Sequence, residues 1–309
     1  VNENESVFTV LLAFAANMLI AIAKSVAAAL SGSASMVAEA AHSWADTGNE
    51  ILLMIANRRA ARPGDRTHPL GYGREVYIWS MFAAIGLFAL GAGVSITHGI
   101  HELQAPEPAD DFLLAYLVLG ISFVLEGISF RQSYRQLQKE AKDADRSVVG
   151  QALRTSDPTV RAVFAEDAAA LVGLIIAAIG ILAHQLTGSP VPDAIGSILV
   201  GVLLGGVALM LIDRNRRFLV GEQAAPRVRL AMLATLRALP EVDRVTYLRT
   251  EFVGPRQLYV VAGVDLVGDF AEAQVARTLR TLEKQLEEDP RLRKVVLTLA
   301  TPEEAEIDA

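Results

Sequence analysis

Six long apolar runs, at 7–30, 35–59, 75–101, 112–135, 158–187 and 192–213, fill the first two-thirds of the chain. Each is long enough to cross a hydrocarbon core about 30 Å thick as a helix, which takes roughly 20 residues. The breaks between neighbouring runs are polar. SGSAS parts the first two and ELQAPEPADD the third and fourth. TGSPVPD parts the last two, where Gly188, Pro190 and Pro192 stop one helix and start the next. Beyond residue 213 the period changes. Residues 226–239 read as an amphipathic helix opened by Pro226, and 242–250 and 257–267 as two strands joined around Gly254-Pro255. A charged helix over 270–288 and a third strand over 293–300 complete the pattern. The expected fold is an α-helical membrane domain over 1–213 with six transmembrane helices. It is followed over 214–309 by a small α+β domain of order αββαβ, ferredoxin-like, with its helices on one face of the sheet. Such a domain is short of core for its size and commonly needs a partner surface.

Composition agrees with this division. The chain is 52% hydrophobic with a mean hydropathy of +0.36, and its charge is concentrated in the last third. Charge then sets orientation. Arg58, Arg59, Arg62, Arg66 and Arg74 follow the second run. Arg131, Arg135, Lys139, Lys142, Arg146, Arg154 and Arg161 lie around the connection from the fourth to the fifth, and Arg214, Arg216 and Arg217 follow the sixth. The connections on the other side carry no Lys or Arg, so both termini are expected in the cytoplasm. The N-terminal VNENES is acidic and leads straight into the first apolar run, so no cleavable leader is expected. Ala- and Arg-rich usage suggests a GC-rich bacterium, hence the plasma (inner) membrane. A net charge of −7 argues against nucleic acid as a partner. Without cysteine there is neither a disulfide nor a thiolate metal site, and any metal must be held by His, Asp, Glu or Asn.

The second run holds chemistry that its apolar setting does not explain. Glu39, His42 and Asp46 are spaced by three and four residues, which stacks them on one helix face. Ionisable groups at membrane depth are expensive and mark function by default. At 1.5 Å per residue, His42 and Asp46 fall roughly 10–17 Å in from the outer end, Asn17 about 15 Å in, and Glu166 and Asp167 roughly 12–14 Å from the cytoplasmic end. Three runs therefore bring polar groups to one level. Zinc takes a tetrahedral set of imidazole nitrogens and carboxylate oxygens, and two ligands from each of two helices supply one. Protonation of such ligands competes with the metal, which makes exchange of metal for protons the natural mechanism.

Other polar positions read less sharply. Asn17 taken alone is as well explained by an interhelical hydrogen bond. Glu39 lies near the outer interface, where it is solvated or an accessory ligand, and Lys24 can snorkel there. Glu126 in the fourth run is a proton relay or the partner of an arginine. The glycines at 86, 91 and 93 and at 196, 201, 205 and 206 read as close helix packing.

His42-Ser43-Trp44-Ala45-Asp46, the loop His68-Pro69-Leu70-Gly71-Tyr72-Gly73, six spans and a terminal αββαβ domain together resemble the cation diffusion facilitators. The phrases HSWADTGNE and FAEDAAALVG look most like the branch containing the ninth animal zinc transporter. The resemblance covers nearly the whole chain. It implies a homodimeric metal/proton antiporter in a lipid bilayer, with a transport site at His42, Asp46 and Asp167. The family's usual fourth ligand falls on Val163, which cannot coordinate, and Glu166 is the obvious substitute. The loop site of the family keeps Asp65 and His68 but has Tyr72 where a second His is usual. All five histidines precede residue 214, so the terminal domain is expected to dimerise without a His-ligated metal.

The leading expectation is thus a secondary transporter that exports Zn2+ from the cytoplasm in exchange for protons, with no cofactor. An oxygen-rich site with one imidazole also suits Mn2+, Fe2+ or Co2+. The competing expectation is a non-transporting membrane scaffold or sensor. An enzyme is disfavoured, since no nucleophile–base pair, cofactor loop or HExxH is present.

Overall fold

The computed structural model describes residues 3–105, 112–143 and 145–307. The expected linker at 102–111 therefore lies largely outside the described residues. Helix α1 spans Glu3–Ser31 and α2 Ala34–Ala60, joined at Gly32 in a left-handed conformation (φ 63°) that only glycine adopts cheaply. Helix α3 spans Glu75–Gln104 with a π-helical stretch at Leu87–Val94, and α4 spans Phe112–Asp143. The short α5, Val148–Arg154, is capped by Ser147. Helix α6, Pro158–Thr187, has the strongest start signal in the chain. The Asp157 carboxylate accepts from the backbone of Thr159 and Val160, and Pro158 occupies the first turn, where its missing N–H is no loss. Gly188 ends α6 with φ 66°, and α7 runs over Val191–Val220.

Among the described residues four helices are long and apolar enough to cross a membrane: α3, α4, α6 and α7. Helix α2 is long enough, with 27 residues, but Glu39, His42, Asp46, Asn49, Glu50 and its terminal arginines dilute its apolar character. The polar load that makes it interesting also removes it from a hydropathy count. For α1, the described apolar stretch is Asn17–Ser31.

The chain forms two compact units. The first comprises residues 1–56 and 78–215. In it α3 and α7 approach closely through small residues. A Cβ on Gly99 would lie 2.8 Å from the Ala194 carbonyl oxygen, one on Gly201 would lie 2.6 Å from Ile96, and the Ser197 hydroxyl donates to the Ser95 carbonyl at 2.8 Å. Gly91 serves the same contact against Leu204, whereas Gly206 has nothing within 4 Å. Packing therefore accounts for part of the glycine pattern and not the whole. Arg161, counted with the cytoplasmic charges on sequence grounds, is buried instead. It donates to the Thr155 carbonyl and the Asn215 side chain, pinning the start of α6 to the end of α7.

The second unit comprises residues 57–77 and 216–309. Helix α8 (Pro226–Arg237), strands β1 (Val242–Gly254) and β2 (Gln257–Leu266), helix α9 (Glu272–Leu286) and strand β3 (Leu292–Leu299) reproduce the expected order. The sheet is β1-β2-β3, antiparallel at the first pairing and parallel at the second. Gly254 pairs with Gln257 across a two-residue turn in which Arg256 takes φ 56° behind Pro255, the backbone of a type II turn. Leu233, Leu236, Val245, Val260, Val264, Leu282 and Val295 form its core. The loop after α2 belongs to this unit. Arg293 donates to the Leu70 carbonyl at 3.1 Å, Arg74 pairs with Glu251, and the Tyr77 ring stacks on Phe218.

Candidate metal centre

One face of α2 carries Glu39, His42, Asp46 and Glu50 at steps of three, four and four, and each meets a different partner. Glu39 is fully buried and bonds the Lys24 ammonium at 2.9 Å. His42 Nε2 lies 3.2 Å from Asp46 Oδ2, one turn on. Glu50 accepts a hydrogen bond from the Asn17 amide. Two sequence expectations need correcting here. Lys24 does not snorkel, being 1% exposed, and Glu39 is not solvated at an interface, because the α1–α2 contact encloses both. Asn17 takes the interhelical hydrogen-bonding role.

Helix α6 supplies the other wall. Glu166 and Asp167 are consecutive, so their side chains leave the helix about 100° apart, and they go to different neighbours. Glu166 Oε1 accepts from the Asn49 amide of α2 at 2.9 Å. Asp167 Oδ2 accepts from the hydroxyls of Ser129 and Ser133 on α4 at 3.0 and 3.2 Å. Both carboxylates are nearly enclosed.

Between these helices lies a cavity of about 340 Å³. Asn17, Asp46, Glu50, Glu126, Glu166 and Asp167 line it together with Val163. It runs along α2 from Ser43 to Leu53 and reaches the early turns of α6, which places it in the half of the bundle nearer the α2–α3 connection. Of the sequence-derived candidates, Asn17, Asp46, Glu126, Glu166 and Asp167 are thus brought to one space, and His42 reaches it through Asp46. Among the described residues no three His, Asp or Glu side chains converge tightly enough to share one ion. Asp46, with a side chain 20% exposed, is the accessible member of the His42–Asp46 pair. The cavity's chemistry is that of hard oxygen donors with one adjacent imidazole, suited to a divalent cation and to protons. Glu50, Asn49, Ser129 and Ser133 were not anticipated. Glu50 follows Asp46 at the same four-residue step and was open to the same reading.

Asp65 and His68 lie apart, in the loop after α2. Asp65 Oδ1 accepts from the backbone of Thr67 and His68 at 2.8 and 2.7 Å, and Oδ2 accepts from the Tyr72 hydroxyl at 2.7 Å. The Tyr72 hydrogen bond, then the backbone donors, hold the Asp65 carboxyl below the usual carboxylate range, and the same contact pushes the Tyr72 phenol up. The loop is closed by its own hydrogen bonds, Tyr72 among the donors.

Comparison with known proteins supplies the lineage. Residues 10–220 match the cation efflux transmembrane domain. Metal tolerance protein C4 of Arabidopsis thaliana is 38% identical over 233 residues, 75% of this chain and 51% of that protein. The mitochondrial proton-coupled zinc antiporter SLC30A9 of Homo sapiens is 33% identical over 297 residues, 96% of this chain and 51% of that one. Its Xenopus laevis counterpart is 36% identical over 237 residues, 77% of this chain and 42% of its own length. The chain spans about half the length of these relatives. The antiporters among them are transporters by name, not enzymes. A multi-pass helical membrane domain with this match places the chain in a known lineage: it belongs to the cation efflux family.

Proposed function

We propose that the chain carries a divalent transition metal, zinc first, out of the cytoplasm in exchange for protons. The observation that carries this reading is the shared cavity of Asp46, Glu166 and Asp167. Asp46, with His42 behind it, supplies one side of the coordination shell; Glu166 and Asp167 supply the other, where Val163 has no donor. Asn49, Ser129 and Ser133 hold those carboxylates and release them to the ion. Glu50 and Glu126 line the same cavity and offer further proton acceptors.

The reading includes six spans, with α1 and α2 as the first two; α1 has 29 residues and α2 has 27, enough for about 40 Å each. Both termini lie in the cytoplasm, since the arginines and lysines gather at that end. Residues 1–213 form the transport domain and 214–309 a cytoplasmic domain that pairs two copies. The location is the plasma membrane, although the animal relatives are named as mitochondrial. An oxygen-rich shell also supports Mn2+, Fe2+ or Co2+ as cargo. Equilibrium binding of zinc, manganese, iron, cobalt and cadmium to the purified protein tests the assignment. Tightest binding of zinc, weakened in Asp46→Ala, supports it; no binding of any of these metals overturns it and favours a scaffold or sensor.

A further inference from the structure

On the side of His42 away from the cavity, Lys24 and Glu39 are both buried. We propose that the Lys24–Glu39 ion pair is the gate that closes the site toward the end of the bundle bearing the Ser31–Ala34 and Thr187–Val191 connections. This rests on the transport reading of the cavity, and deepens it.

Three observations carry it. The first is a contrast in burial along one helix face. Glu39 and His42 are 0% exposed and Lys24 1%, while the Asp46 side chain, one turn further along α2, is 20% exposed toward the cavity. Access therefore ends between His42 and Asp46. The second is position. Asn17–Glu50 and Lys24–Glu39 are rungs of the same α1–α2 interface, and Lys24 follows Asn17 by two helical turns, about 10 Å. The cavity lies beside the first rung, and both side chains of the second are buried. The third is the fit of α6 against the pair. A Cβ on Gly173 would come within 2.6 Å of Glu39 Oε1, so the absence of a side chain there lets α6 seal against the carboxylate. One layer further, the Ser35 hydroxyl and amide bond the Asp193 carbonyl and carboxylate, at 2.9 and 3.3 Å, continuing the closure.

The chemistry suits a gate better than a brace. A buried ion pair is seldom more stabilising than apolar residues of the same volume, because both charges lose their water. It does gain on opening, when each charge regains solvent, so it makes a two-state element where aliphatic packing would not. Glu39 Oε1 accepts no hydrogen bond in the closed arrangement. That spare acceptor is available to water, or to a departing cation, once α1 and α2 part.

The chain has no cysteine, so a single one reports access cleanly. Ala177→Cys places it on α6 one turn beyond Gly173, at a position 0% exposed. Labelling by a membrane-impermeant maleimide is followed in sealed vesicles of each orientation. Glu39→Gln and Lys24→Met are each expected to raise the labelling rate about tenfold from the connection-bearing face. The exchange Lys24→Glu with Glu39→Lys is expected to return it to the parental rate. Unchanged labelling in protein that elutes like the parent overturns the gate, as does a rise equal from both faces. Glu39→Gln, nearly isosteric, decides alone if Lys24→Met does not fold. Labelling needs no turnover, so unchanged labelling alongside normal zinc flux sinks the gate only, whereas a parent without flux sinks the transport reading.

Discussion

Glu166 accepts a hydrogen bond from the Asn49 side chain at 2.9 Å, while its neighbour Asp167 turns to the serines of α4. Two adjacent carboxylates on one wall thus bond to different helices around one cavity. This arrangement resolves what a helix face alone cannot, since residues 166 and 167 never share a direction.

That geometry makes Glu166→Gln informative. Zinc affinity by titration calorimetry should fall about tenfold or more, and Asn49→Ala, which frees Glu166, should cost about tenfold by misplacing it. Adding Val163→His to Glu166→Gln puts an imidazole one turn before Asp167 and should recover part of the loss. Parental affinity in Glu166→Gln would make that carboxylate structural.

Asp46→Ala and Asp167→Ala remove one donor from each wall. Both proteins should fold and elute like the parent while zinc transport falls to the level of empty vesicles. Normal zinc uptake in either variant would refute the assigned site.

The loop offers a pH prediction. Asp65 is held below its ordinary range in the folded loop, chiefly by Tyr72. A depressed carboxyl contributes stability that is present above its unfolded value of about 3.9 and is lost as pH falls through its folded value. The Asp65 contribution should therefore be constant above about pH 5 and be lost only in acid. Tyr72→Phe should move the Asp65 titration upward, followed by the carboxyl carbon shift in micelles. An unmoved titration would mean that the backbone donors suffice.

Close packing of α3 on α7 predicts a contrast between two glycines. Gly99→Ala drives a methyl to 2.8 Å from a backbone oxygen and should destabilise by about 1–3 kcal/mol. Gly206→Ala meets nothing within 4 Å and should be neutral or stabilising by up to about 1 kcal/mol. Melting temperatures in the same detergent compare them, and equal losses would deny the contact.

Much of the framework could be read from residues. The apolar run 158–187 and the stop at Gly188 matched α6, and the period change past residue 213 announced two helices and three strands in the observed order. Counting residues from helix ends placed Asn17, His42, Asp46, Glu166 and Asp167 at one level, and all but His42 line one cavity. Height, however, says nothing of azimuth. Lys24 was therefore assigned to the interface, although it points inward at Glu39. Ser129 and Ser133 were invisible because a serine in an apolar helix usually bonds its own backbone. The grouping of residues 57–77 with the terminal domain goes with contacts such as Arg293 to Leu70 and Arg74 to Glu251, far apart in the chain, and no local pattern encodes them.

Proton movement driven by zinc in sealed proteoliposomes bears on transport itself. A zinc gradient should move protons in the opposite direction, with a rate that saturates in zinc and vanishes in Asp167→Ala. Folded protein that moves no protons for zinc, manganese, iron or cobalt would contradict metal-for-proton exchange.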